Sequence, residues 1–449
     1  MINLTMGYWS RFGKIRVILK EKAGLIAALS LIFAGYLGVQ AWNSQTTARA
    51  VAEAAFTPEQ IFAQVSADRR WILLGEEFTF KQKSLPFRVE LSPEFADTPL
   101  NYAVSGTDLS GRMVKDGVNR YFAEIFVGTL KPGRYAVSAQ ARSSAGTFTS
   151  PAVEFYVSYP LYVAWTLDWE GYDVPQNYLN MIEEISQNHG VPITHFFNPR
   201  LYTSPDISAA QAQYLTDWVK NRENQGDVIG LHLHMFPDLV SAAGVAPRTS
   251  PNWGSWKTDG YDVLTSAYTY EETVKLLDWS KGTFARKGLG IPVMFRAGGW
   301  FADEETLQAL AETGFALDSS GRTKYTFGEN GIAGPWDLLA TTRPYQLNAE
   351  DQNIVNSPTL NLWEFPNNGA DSWAYSTEQL LERFQSNFSG APLAEKQVVT
   401  YLSHPEWFSK DQPKIEALFA AIDSYRNRVD GGPVIYITLG QAYQIWAGR

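Results

Sequence analysis

The 449-residue sequence contains no cysteine. That excludes a disulfide framework, a thiolate zinc site and a cysteine nucleophile, and leaves the compartment open. Histidine is scarce too. Only five occur, His189, His195, His232, His234 and His404, so any imidazole chemistry must come from these. Basic residues are in deficit, and the formal net charge of −10 argues against nucleic acid as a partner. No G-x-S-x-G elbow is present, which speaks against a serine esterase. What the chain has in quantity is aromatic: 15 Trp and 22 Tyr suit a carbohydrate-handling surface and suit a large core equally well. Trp165, Trp169, Trp253, Trp256, Trp300, Trp363 and Trp373 are the candidates for lining a glycan groove.

The N-terminus carries the compartment signal. Arg11, Lys14, Arg16, Lys20 and Lys22 precede an uncharged apolar run over about 24–43, close to the ~20 residues that span a bilayer. The basic flank predicts a cytoplasmic tail at 1–23 and export of everything after the run. A cleaved signal peptide is the alternative, because VQA at Val39–Ala41 and ARA at Ala48–Ala50 both look like cleavage sites. In either case the body of the protein is expected outside the cytoplasm, membrane-anchored or secreted.

Two domains are expected after a linker at 44–69. Over 70–158, short segments such as PFRVELS, NRYFAEIFV and AVEFYVS alternate apolar and polar residues and are separated by turn signals. They predict an all-β sandwich of immunoglobulin or fibronectin type, with no acid or histidine cluster, which suits a spacer or packing module, with sugar binding as the alternative. Over 159–449 the pattern becomes strand alternating with helix. Strands are predicted at 161–167, 193–197, 228–233, 291–296, 315–318, 360–365, 397–402 and 433–438. Helices are predicted at 176–188, 207–222, 270–287, 303–313, 376–387 and 413–428. This alternation predicts an α/β domain with a parallel sheet, a distorted barrel of seven or eight strands.

The candidate site residues sit at the ends of those strands. Asp168 and Glu170 end one as D-x-E, and His232 and His234 end another as H-x-H. Residues i and i+2 of a strand share a face, so each pair points one way. Arg296, Asp318 and His404 end three more strands. The C-terminal face of a parallel barrel is its catalytic face, and two imidazoles beside a carboxylate can hold a divalent cation. Histidines capping a strand by hydrogen bonds are the competing explanation. It suits His189, at a helix end, and His195, inside a strand, better than it suits the other three.

In order and approximate spacing, TLDWEG, GLHLHMFPDL, FRAGGW and YLSHP resemble the motifs of the polysaccharide deacetylases of carbohydrate esterase family 4. The resemblance covers nearly two-thirds of the chain. It implies a metal-dependent hydrolase that removes N- or O-linked acetyl groups from an envelope or extracellular polysaccharide, with Zn²⁺ the first choice of cation. It implies Asp168 as the base, Arg296 as its orienting partner, His404 as the general acid, and Asp318 holding His404 or Arg296. His232 matches the first metal histidine. Two departures accompany this. Trp169 occupies the slot of the family's metal-binding acid, so that role moves to Glu170. Phe236 stands where the second metal histidine belongs, so His234 is expected to supply the nitrogen. The family's Pro-Tyr after the arginine is replaced by AGGW, which leaves the oxyanion donors unassigned. Two alternatives remain. One is a glycoside hydrolase like those of family 18, suggested by LDWEGYDVP and using Asp168 and Glu170. The other is a membrane-tethered carbohydrate-binding protein without activity.

Overall fold

The computed structural model describes residues 56–143, 146–254 and 259–448. The expected cytoplasmic tail, the anchor or signal segment and Trp256 lie outside these. Among the described residues no helix is long and apolar enough to cross a membrane. Chain contacts group into two compact units.

The first unit comprises residues up to Ser66, Phe87–Ala123 and Val137–Val153. Its pairings are antiparallel: Leu100–Val104 lies between Ser110–Arg112 and residues 137–141, and the segments 140–143 and 146–149 form a hairpin. Val114 and Lys115 pair with Phe122 and Tyr121. Alternating burial over 120–123 shows the two-residue period expected of a sheet with one covered face.

The second unit comprises Ala67–Pro86, Glu124–Ala136 and Glu154–Arg449. Its centre is one sheet built from β1 (Leu161–Asp168), β2 (Ile193–Phe197), β3 (Val228–Leu233), β4 (Met294–Ala297), β5 (Leu317–Asp318), β6 (Tyr345–Asn348), β7 (Thr359–Glu364), β8 (Ala370–Asp371), β9 (Gln397–Ser403) and β10 (Val434–Tyr436). The order is β6-β7-β5-β4-β3-β2-β1-β9-β8, and β10 pairs with the first three residues of β1. The β6–β7 pair is antiparallel, and the β1–β2, β1–β9, β1–β10, β2–β3, β3–β4, β4–β5, β5–β7 and β8–β9 pairs are parallel. Around it stand α1 (Gln176–His189), α2 (Ala209–Glu223), α3 (Pro237–Ala242), α4 (Tyr270–Lys287), α5 (Glu304–Glu312), α6 (Thr377–Asn387), α7 (Phe408–Asp423) and α8 (Leu439–Ala447).

Local chemistry explains several boundaries. Thr269 and Glu272 form a capping box at the start of α4, and Gly288 ends it in the left-handed conformation at φ 71°. The expected helix over 413–428 begins earlier, at Phe408, with Pro413 inside it. Proline is at home in a first helical turn, so the sequence places the start there; the chain entering from Pro405–Trp407 has already turned helical.

All eight residues of β1 are buried. Leu161, Val163, Trp165 and Leu167 belong to the large outer cluster, whereas Tyr162 and Ala164 join Phe196, Met294 and Leu439 in an inner one. Both faces are therefore covered, one by helices and one by the sheet's own curl. Its inner side is closed at one end by α8, where the Leu439 N–H donates to Thr194 Oγ1 at 2.9 Å. The curl is visible in a single contact: Arg296 of β4 hydrogen-bonds Thr166 and Asp168 of β1 at 2.7 and 2.8 Å. In a flat sheet these strands, three apart, would be separated by about 14 Å.

Asp318 and Glu364 stand in register on adjacent strands β5 and β7. Burial raises the Asp318 carboxyl to about 6. Burial and the neighbouring Asp318 push Glu364 well above the usual carboxylate range. Acids whose folded-state values are raised contribute fully below their unfolded values of ~4, and that contribution is lost as pH rises through the folded values. Glu364→Gln keeps an acceptor for the Gly321 N–H, which Glu364 Oε1 takes at 2.8 Å, and removes one titration. The melting temperature of the variant relative to the natural protein is expected to become steadily more favourable from pH 5 to pH 8. A difference that stays constant over that range would show that the pair shares no proton.

Candidate metal and hydrolase site

The C-terminal ends of β1, β3, β4, β8 and β9 converge on a cleft of about 740 Å³ that contains Asp168, Glu170, His232, His234, Asp371 and His404. This is a volume suited to sugar-sized ligands. Glu170 is 2% exposed and meets three imidazoles: His234 Nε2 at 2.5 Å, His404 Nε2 at 3.2 Å and His232 Nε2 at 3.8 Å. Burial works to raise its carboxyl, but the three histidines outweigh this and hold it well below the usual range.

Trp169, between the two acids, turns the other way. It is fully buried against His195, Phe197 and Trp218, and its indole N–H reaches His195 Nδ1 at 3.4 Å. The acid at i+2 thus enters the cleft while the residue at i+1 joins the core. Phe236 is also core. The Arg200 guanidinium lies 3.7 Å over its ring and donates to the Gly171 carbonyl at 2.9 Å, beside Glu170.

Glu170, His232 and His234 each offer one ligand atom, all within 4.8 Å of one another. Each histidine commits Nδ1 to a backbone carbonyl, His232 to Arg296 and His234 to Tyr261, both at 2.9 Å. Such bonds leave the Nε2 lone pairs available. His232 Nε2 is buried and has no hydrogen-bond partner. One carboxylate and two oriented imidazoles, one with a buried unused nitrogen, fit the requirements of a divalent cation.

Arg296 is fully buried. Beyond its bonds to Thr166 and Asp168 it donates from Nε to the Ser319 carbonyl at 2.8 Å and from Nη2 to Ser319 Oγ at 2.7 Å. Its guanidinium is therefore fixed before it meets the Asp168 carboxylate. His404 follows β9. Burial works to lower its value, but Asp371, Glu170 and Asp168 overcome this and push it up to about 10, so it carries a proton at neutral pH.

Asp318 departs from its expected place. Its carboxylate accepts the Ser320 hydroxyl at 2.8 Å and the Ser320 N–H at 3.2 Å, and it does not hydrogen-bond His404 or Arg296. The two jobs expected of it fall to others: Ser319 holds Arg296, and Asp371 faces His404 Nδ1 at 3.6 Å. A two-residue strand points Asp318 toward Ser320 and Glu364 instead. His195 and His189 lie elsewhere. The first pairs with Asp227 at 3.0 Å, which Arg222 also holds at 2.8 Å; the second pairs with Asp423 at 2.7 Å.

Thr166, Ser319, Asp371, Tyr261 and Glu406 were not singled out from the sequence. Thr166, two residues before Asp168 on one strand, could have been found by period alone. Asp371 lies on a two-residue strand and Tyr261 in a loop, where no periodic signal exists. Of the aromatic candidates, Trp253, Trp300 and Trp373 line the cleft, together with Trp407. Trp165 and Trp169 are core, and Trp363 packs against the inner cluster.

No protein-family model matches the sequence, and no curated protein does. Solved structures do. A polysaccharide deacetylase candidate from Mycobacterium smegmatis is similar with a TM-score of 0.40 and 15% identity, over 64% of this chain and 91% of that one. A family 4 carbohydrate esterase from Streptomyces lividans is similar with a TM-score of 0.31 and 11% identity, over 60% and 95%. The peptidoglycan deacetylase PdaC from Bacillus subtilis is similar with a TM-score of 0.32 and 12% identity, over 65% and 93%.

Proposed function

We propose that the chain is a metal-dependent hydrolase that removes acetyl groups from a polysaccharide. The observation that carries this is the Glu170–His232–His234 cluster standing between a base candidate fixed by arginine and His404. A divalent cation held there, Zn²⁺ by first choice, would supply Lewis acidity and a water acidified toward pKa ~7.

The chain's own groups then divide the work. Asp168, oriented by Arg296 at 2.8 Å, is placed to accept a proton from an attacking water. His404, protonated, is placed to donate to the leaving amine or alkoxide. Trp373, which is exposed, and the half-buried Trp407 offer apolar faces for sugar rings at the cleft.

The glycosidase alternative needs a carboxylic acid that keeps its proton near neutrality. Glu170 is held in the opposite direction, ionised, by three histidines, which speaks against that chemistry. The Glu/His cluster likewise gives no reason to favour a purely carbohydrate-binding role. The strands between 70 and 158, among which 156–158 pairs in parallel with Trp71–Leu73, are proposed to form a sandwich-type spacer. The basic tail and apolar run before 44 are proposed to anchor the enzyme with its catalytic domain outside the cytoplasm.

Three variants test the assignment. His232→Ala is expected to lose bound metal and acetate release together. His404→Ala is expected to keep the metal and lose about 10²–10⁴-fold in acetate release. Metal content measured beside acetate release separates these outcomes, and a purified protein without metal whose two variants match it in activity would exclude the scheme. Arg296→Met leaves the buried Asp168 carboxylate without its partner. It is expected to cost about 3–5 kcal/mol of unfolding free energy in urea denaturation, and an unchanged midpoint would show that the pair is not buried as described.

A further inference from the structure

Two of the three donors in the cation site sit at shifted positions. Glu170 follows Trp169 instead of replacing it, and His234 lies two residues after His232 while Phe236 packs away from the cleft. Both shifted residues follow the last residues of β1 and β3, so pairing within the strands does not by itself hold their side chains. His232, still within β3, is aimed by the neighbouring strand through the Arg296 carbonyl. The other two need supports of their own, because a ligand carboxylate or imidazole that can rotate loses affinity.

Two residues outside every motif provide them. Tyr261 accepts His234 Nδ1–H at its carbonyl. Its ring stacks on the same imidazole with centroids 4.1 Å apart and planes 6° apart. Its hydroxyl hydrogen-bonds the Glu170 carboxylate. One residue thus fixes the tautomer and plane of His234 and occupies part of the Glu170 acceptor capacity. Glu406 acts on the main chain. It is buried, and its Oε1 accepts the Glu170 N–H at 2.8 Å, which sets the backbone from which that carboxylate projects. It lies two residues after His404, in the short 3₁₀ turn Pro405–Trp407, so the acid-bearing segment also holds the metal-binding one.

We infer that Tyr261 and Glu406 are positioning residues that aim Glu170 and His234 at a shared divalent cation, and that they make the D-x-E and H-x-H arrangement work as a metal site. The inference rests on the cation site proposed above. It explains how a metal site survives both departures from the family pattern: each displaced donor has acquired a new buried contact.

Titration of the purified chain with Co²⁺, followed by visible absorption, reads ligand geometry and affinity without any turnover. Tyr261→Leu keeps bulk and the backbone carbonyl but removes ring and hydroxyl. Glu406→Met keeps length but removes the acceptor. Each is expected to weaken Co²⁺ binding by about 10–100-fold and to alter the absorption spectrum, whereas Glu406→Gln, whose amide oxygen still accepts the Glu170 N–H, restores both. Wild-type affinity and spectrum in Tyr261→Leu and Glu406→Met would overturn the inference while leaving the cation site standing. A natural chain that takes up no Co²⁺ would overturn the cation site itself. Should Tyr261→Leu fail to fold, Tyr261→Phe decides the hydroxyl's part: weaker binding supports it and unchanged binding overturns it.

Discussion

Arg296 spans the interior of the sheet from β4 to β1, and the site depends on the curl that this contact requires. A guanidinium is a demanding group to bury, because it brings five donors and a charge into a place without water. Here its hydrogen bonds go to Thr166, Asp168 and both the carbonyl and hydroxyl of Ser319. These partners come from strands or strand ends on opposite sides of the curl, so the arginine is satisfied only if the sheet closes far enough to bring them together. The same closure brings the ends of β1, β3 and β9 within reach of one carboxylate, Glu170.

Electrostatics around that carboxylate follow from burial combined with the scarcity of cations. Arg296 faces Asp168 and Arg322 acts on Asp371; imidazoles face Glu170, and each acid's environment decides its protonation. Glu170, facing three histidines, is driven down. Glu406, buried near Glu170, is pushed up to about 8. Asp371 is raised by burial to about 6, with His404 opposing. Neighbouring acids are thus pushed in opposite directions by their surroundings, Glu170 down and Glu406 up.

Aromatic residues serve two separate purposes that composition could not tell apart. Trp169 fills the space behind the acid pair and packs at a tilt against His195, so it places Glu170 by occupying the opposite face. Trp253 and Trp373 instead line the cleft, Trp373 with 44% of its surface exposed. One residue type therefore supplies both the wedge behind Glu170 and part of the cleft wall.

Much of this was determined by the sequence alone, because it depends on short-range periodicity. The period-two runs placed β1, β2, β3 and β9 within a residue or so of their observed ends, and the same period put Asp168 with Glu170, and His232 with His234, on common faces. Strand–helix alternation implied a parallel sheet with its chemistry at the C-terminal edge. Only the tertiary structure decided which strand ends meet. Asp318 and Asp371 are both short-strand aspartates, and nothing local distinguishes them. Strand pairing sets Asp318 beside Glu364 and sets Asp371 beside the strand that leads into His404. Tyr261 and Glu406 were hidden for the same reason: each acts on a residue far away in the chain, and a contact made only by folding leaves no period for a sequence to display.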